Sequence, residues 1–134
     1  MSYWLIKSDP ETYSIDNLKN EKITIWDGVR NAQARNYLKE MKKGDKLFFY
    51  HSGGDKTIIG LAELTQEYFQ DPTTDDSRWV AVKIKFLKKF KNPLSLASIK
   101  QTKELENMPL LKQSRLSVMP VSEEEAEKII SLTE

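Results

Sequence analysis

The sequence predicts an α+β domain in which mostly antiparallel strands wrap into a partly closed β-barrel with helices around it. Three observations carry this expectation. Runs of β-branched and aromatic residues, such as Tyr3–Ser8, Lys46–His51 and Val80–Phe86, recur along the chain. Segments with helical apolar spacing and capping residues are interspersed among them. Proline and glycine turns separate the two kinds, and the 134 residues fit one domain, 1–134.

Tyr3–Ser8 reads as a first strand, stopped by Asp9-Pro10 because proline cannot continue a ladder. Ser14 caps a short helix over Ile15–Asn20, with Asp16 suited to its positive end. Ile23–Trp26 is a short extended run ended by Asp27-Gly28. A helix follows over Asn31–Met41, with Ala34, Tyr37, Leu38 and Met41 on one face and Gly44 as its stop. Lys46–His51 is a strand, Ser52–Asp55 a hairpin-like turn, and Thr57–Phe69 the return strand, bulged at Gly60. A polar loop, Asp71–Ser77, leads to Val80, Val82, Ile84 and Phe86, which alternate with Ala81, Lys83 and Lys85 in a half-buried strand ended at Asn92-Pro93. Ser95–Lys100 is a helical turn, and Lys103–Lys112 a weak helical or irregular stretch broken at Pro109. Arg115–Met119 is a last strand stopped by Pro120. Ser122 and Glu125 form a capping box that opens a helix to about Leu132.

Composition narrows the function. Net charge is only +1, with 31% charged residues. A long phosphate-gripping groove usually brings a clear basic excess, so any nucleic-acid contact is expected to be local. The absence of cysteine removes thiol nucleophiles, disulfides and thiolate metal sites, and a single histidine removes a multi-histidine metal site. No cofactor, metal or membrane partner is expected, and a cytoplasmic location is the simplest placement.

The stretch Ile25–Ser52 holds the candidate site. Trp26, the Asp27-Gly28 turn and the planar hydrogen-bonding groups of Arg30, Asn31, Gln33, Arg35 and Asn36 fall within a dozen residues. A flat polar ligand such as a nucleobase needs a face to stack on and an edge to read. Trp26 is the stacking candidate; its bland reading is a buried core tryptophan, which is the reading favoured for Trp4 and Trp79. Asn31 and the backbone at Val29 are edge readers, although Asn31 also suits a helix cap. Arg30 is a phosphate or bracing group. Lys7 and Ser8 end one strand, and Tyr50, His51 and Ser52 end another, so the two ends are expected to meet at one rim. Arg115 either anchors phosphate or pairs with an acid.

These residues also carry a resemblance. Tyr3-Trp4-Leu5-Ile6-Lys7-Ser8-Asp9-Pro10, Trp26-Asp27-Gly28-Val29-Arg30-Asn31 with Gln33-Ala34-Arg35-Asn36, Phe49-Tyr50-His51-Ser52, and Arg115-Leu116-Ser117-Val118 with Pro120-Val121-Ser122 resemble the EVE domain family over nearly the whole chain. The resemblance implies a PUA-like fold, kinship with the YTH domains that hold N6-methyladenine in an aromatic cage, and binding of modified bases, often modified cytosines in DNA. The chain departs from the family at Asp9, where glutamate is usual, at Met119, and in its short Asp71–Ser77 loop, where only Tyr68 and Phe69 stand nearby.

The leading expectation is therefore a non-enzymatic module that reads a modified base in DNA or RNA. Two alternatives stand beside it. One is a small hydrolase of a nucleotide or amide, with His51 as acid or base beside Asp27 or Asp9. The other is a protein-interaction adaptor using the acidic C-terminal helix.

Overall fold

The computed structural model describes residues 1–134. The strands are β1 (Tyr3–Ser8), β2 (Ile23–Trp26), β3 (Lys46–His51), β4 (Thr57–Gln70), β5 (Val80–Ser95) and β6 (Val118–Val121). The helices are α1 (Ile15–Glu21), α2 (Ala32–Glu40), α3 (Leu96–Lys100), α4 (Pro109–Lys112) and α5 (Glu123–Thr133), with a 3-10 turn at Lys103–Leu105. No helix is long and apolar enough to cross a membrane.

The strands form one sheet in the order β2-β5-β4-β3-β1-β6. β1 and β3 run parallel, from Tyr3 opposite Lys46 to Ser8 opposite His51. A parallel pair needs a crossover, and α1, β2 and α2 make it. Every other neighbouring pair is antiparallel. The edge strands β2 and β6 share no ladder, so the hydrogen-bonded sheet is open. The α+β expectation holds in this form.

Phe48 and Phe49 on β3 are fully buried at the centre of a continuous apolar core that also takes in Leu5, Ile6, Leu38, Ile84 and Ile129. α2 packs Ala34 and Leu38 inward, and Asn31 caps it by accepting from the Ala34 amide at 2.9 Å. Asp45 joins the start of β1 to the α2–β3 turn: its carboxylate accepts from Trp4 Nε1 and from the Lys42 and Ser2 amides at 2.9–3.0 Å. α1 lies close over β4 and β5 at Gly60. A Cβ on Gly60 would stand 2.7 Å from Ile15 Cδ1 and 2.8 Å from the Lys88 carbonyl oxygen.

Three expectations are corrected. β5 does not end at Asn92-Pro93; it passes through Pro93 to Ser95, because the β4 pairing jumps from Gly60–Lys89 to Ile58–Leu94 and leaves the proline outside the ladder. Pro120 does not stop the last strand but lies inside β6, an edge position where its missing N–H costs little. Arg115 accordingly precedes that strand, in an exposed turn. The Lys103–Lys112 stretch is interrupted before Pro109 as expected, and Pro109 opens α4 at the first helical position, which tolerates proline. Trp79 is not a core residue: it is half-buried, and the guanidiniums of Arg35, Arg30 and Arg78 stand 5.5, 5.7 and 5.7 Å from its ring centroid.

Candidate nucleic-acid interface

Trp26 ends β2 and is half-buried. Edge-on contacts orient its ring, with Phe49 at 5.6 Å and Tyr13 at 6.0 Å between centroids. What remains open of the indole lines a cavity of about 280 Å³, together with Ser8, Thr12, Tyr13, Thr24, Ile25 and Asp27. The buried Ser8 closes the floor: its hydroxyl donates to the Tyr13 carbonyl at 2.6 Å and draws the loop after β1 back over the strand end. The Tyr13 phenol donates to Glu21, and burial together with that hydrogen bond pushes its pKa up to about 12.

Asp27 is the one ionisable carboxylate on this wall. It is exposed and takes part in none of the ion pairs of the molecule. Burial and then the charge of Asp71 raise its pKa from the ordinary value, and Arg30 works against them.

The next residues build the turn. Gly28 holds φ +78°, a left-handed conformation suited to glycine. Its amide donates to Asp71 Oδ2 at 2.8 Å. Arg30 Nη1 donates to the same oxygen at 2.9 Å and to the carbonyl of the buried Val29 at 3.0 Å, and Nη2 reaches Thr73 Oγ1 at 3.0 Å. Burial works to raise the pKa of Asp71, but hydrogen bonds from Arg30, Thr73 and Gly28 hold its carboxyl well below the usual carboxylate range.

His51 sits opposite Ser8, and Ser52 donates its amide to the Ser8 carbonyl at 2.9 Å. The two strand ends thus meet as the sequence suggests. His51 Nε2 accepts the Ile15 amide at 3.0 Å and serves the first turn of α1. Burial lowers its pKa, the Lys89 charge adds to this, and Asp16 and Asp55 oppose it. The lone pair that a general base would use is occupied.

The remaining candidates line two neighbouring hollows. Asn31 and Arg115 face one of about 360 Å³ with Gln33, Lys112, Gln113, Ser114 and Leu116. Lys7, Tyr50 and Ser52 face another of about 250 Å³ with Lys56, Leu96, Leu110 and Ser114. Ser114 is common to both, and its carbonyl accepts Lys7 Nζ at 2.8 Å. Burial lowers the pKa of Lys7. No carboxylate lines either hollow, and Lys7, Lys56, Lys112 and Arg115 make no ion pair.

The ten candidates therefore divide. Ser8 and Trp26 share the aromatic cavity; Lys7, Asn31, Tyr50, Ser52 and Arg115 line the basic hollows; Val29, Arg30 and His51 brace the walls. Thr12, Tyr13, Thr24, Ile25 and Asp27 were missed as lining residues. The Asp27-Gly28 pair was visible as a turn, but nothing local shows that the segment after β1 folds back against it.

The chain matches the EVE domain family model over residues 2–132. Human thymocyte nuclear protein 1 is 35% identical over 167 aligned positions, which cover 99% of this chain and 74% of that one. The alignment is longer than this chain, so the human protein carries inserted segments. Among solved structures, a Pseudomonas syringae protein is 41% identical with a TM-score of 0.94, covering 99% of this chain and 100% of that one. The human THYN1 protein, solved in complex with DNA containing 5-methylcytosine, is 34% identical with a TM-score of 0.94, covering 100% and 98%.

Proposed function

The chain belongs to the EVE domain family, and from that premise we propose that it is a non-enzymatic module that binds nucleic acid carrying a modified base, with modified cytosine in DNA as the first candidate. The observation that carries this reading is the cavity of about 280 Å³ with Trp26 in its wall, at the end of β1. The human relative bound to 5-methylcytosine DNA supports the choice of base. The base enters single-stranded or flipped and stacks on Trp26 beside Ser8. Lys7, Tyr50, Ser52, Asn31 and Arg115 meet the flanking sugar-phosphate. Val29, Arg30 and His51 hold the walls in place.

The long β4 and β5 curve the open sheet toward a PUA-like, partly closed barrel related to the YTH domains. The chain works as one domain in a cytoplasm, and methyladenine or RNA is the second choice of ligand.

The experiment is a titration of short oligonucleotides, DNA and RNA, single- and double-stranded, with and without 5-methylcytosine, 5-hydroxymethylcytosine and N6-methyladenine. Wild type and Trp26→Ala are compared. Modification-dependent binding that disappears in the variant supports the reading. Weak, salt-sensitive binding that ignores the base refutes it.

A further inference from the structure

Asp27 poses a question that the base-binding reading leaves open. It is the one charged side chain among the seven residues around the Trp26 cavity, and its charge is negative. Asp27 also borders an adjoining hollow with Ile23, Thr24, Ile25 and Lys83, and Lys83 does not line the Trp26 cavity; further basic groups lie in the hollows next to Lys7 and Arg115. A cavity whose single charge is a carboxylate repels phosphate, so the phosphodiester belongs outside it and the base inside. Apart from its own backbone amide, the carboxylate has no hydrogen-bonding partner. It accepts no side-chain hydrogen bond, and the nearby guanidinium of Arg30 is held by Asp71 at 2.9 Å.

A free carboxylate accepts hydrogen bonds and donates none. Cytosine presents an exocyclic amino group at its 4-position, and thymine and uracil present a carbonyl oxygen there. Carboxylates pair with the cytosine amino group for this reason. A carbonyl oxygen in the same place would face the carboxylate lone pairs with no proton between them. The methyl group of 5-methylcytosine leaves the amino group in place, so 5-methylcytosine and thymine differ at the edge that a carboxylate can read.

We propose that Asp27 is the specificity-determining residue of the cavity, accepting a hydrogen bond from the exocyclic amino group of the bound base and rejecting bases with a carbonyl in that position. The inference rests on the base-binding reading above. It goes further in naming the ligand class, an amino-bearing base, and the group that selects it.

The test uses one single-stranded DNA oligonucleotide with either 5-methylcytosine or thymine at a central position. Wild type, Asp27→Asn, Asp27→Glu and Trp26→Ala are titrated against both. The wild type is expected to favour 5-methylcytosine by about tenfold to a hundredfold, the range of a hydrogen bond to a charged group. Asp27→Asn is expected to bring the ratio to within about threefold, since an amide can turn either its donor or its acceptor to the base. Asp27→Glu keeps the carboxylate and is expected to retain part of the preference. Removing a negative charge strengthens binding to both oligonucleotides alike through the phosphates, so the ratio is the decisive quantity. Asp27 is exposed, and a thermal melt of each variant verifies folding.

A wild-type preference that persists unchanged in Asp27→Asn, while Trp26→Ala abolishes base-dependent binding, overturns the role of Asp27 and leaves the base-binding reading intact. A wild type that does not distinguish the bases, with Trp26→Ala binding as well as wild type, overturns both.

Discussion

Arg30 Nη1 and the Gly28 amide converge on one oxygen of Asp71, at 2.9 and 2.8 Å. Asp71 is fully buried, while Arg30 keeps 40% of its side chain exposed. The pair ties the β4–β5 loop to the turn that carries Asp27. Asp71→Ala should destabilise the protein by about 2–3 kcal/mol, toward the lower end for a broken buried pair because Arg30 can rehydrate. Its folded-state pKa lies below the ordinary value of 3.8, so its contribution is complete above about pH 4 and declines as pH falls further. Urea titrations from pH 6 down to pH 3 should show an acid-dependent loss in wild type that is smaller in the variant.

Trp26→Ala removes a stacking surface without emptying the centre of the core. Base-dependent affinity should fall by about 1–3 kcal/mol, roughly tenfold to a hundredfold. Binding that depends only on phosphate should persist. Fluorescence anisotropy with matched modified and unmodified oligonucleotides measures both parts.

The neutral His51 imidazole accepts from the amide of Ile15. A protonated ring cannot accept there, and the folded-state pKa lies below the ordinary 6.5. Stability from this group is therefore complete above about pH 6.5 and is lost as pH drops toward the folded-state value. Melting temperature should decline between pH 7.5 and 5.5 in wild type. His51→Ala should be less stable by about 1 kcal/mol at pH 7.5 and lack that slope; an equal slope in both proteins would assign it to other groups.

Lys112 and Arg115 line a hollow without a carboxylate. Replacing both with glutamine should weaken binding to all oligonucleotides by a similar factor. It should also reduce the slope of log affinity against log salt by about one to two. A change confined to the modified base would contradict the phosphate role.

Gly60→Ala brings a methyl group within 2.7 Å of Ile15 and 2.8 Å of the Lys88 carbonyl. The side chain of Ile15 can rotate; the β5 backbone cannot easily retreat. A loss of about 1–3 kcal/mol in chemical denaturation is expected.

Much of the fold was legible because it was local. The bounds of β1, β2 and β3, the Asn31 cap and the Ser122–Glu125 capping box follow from residues within a few positions of one another. Pro93 and Pro120 misled because whether a proline breaks a strand depends on which neighbours need its amide, and that is decided by distant pairing. Trp79 misled because the arginines beside it include two from 44 and more positions earlier. The site divides in the same way. Trp26 and Ser8 were visible as residue types at strand ends. The bracing work of Arg30 and His51 depends on Asp71 and Ile15, 41 and 36 residues away, which no local pattern connects.

Ser8 and Lys7 are adjacent on β1, yet they line different cavities. The alternation of a β-strand separates the aromatic wall from the basic one by a single pleat. Gaining or losing one residue in β1 would exchange the two, turning a lysine into the base cavity and a serine toward the phosphates. The length of β1 is therefore as constrained as the identities of these two residues. Variation in related chains should accumulate as substitutions along β1, with length changes confined to the loops on either side.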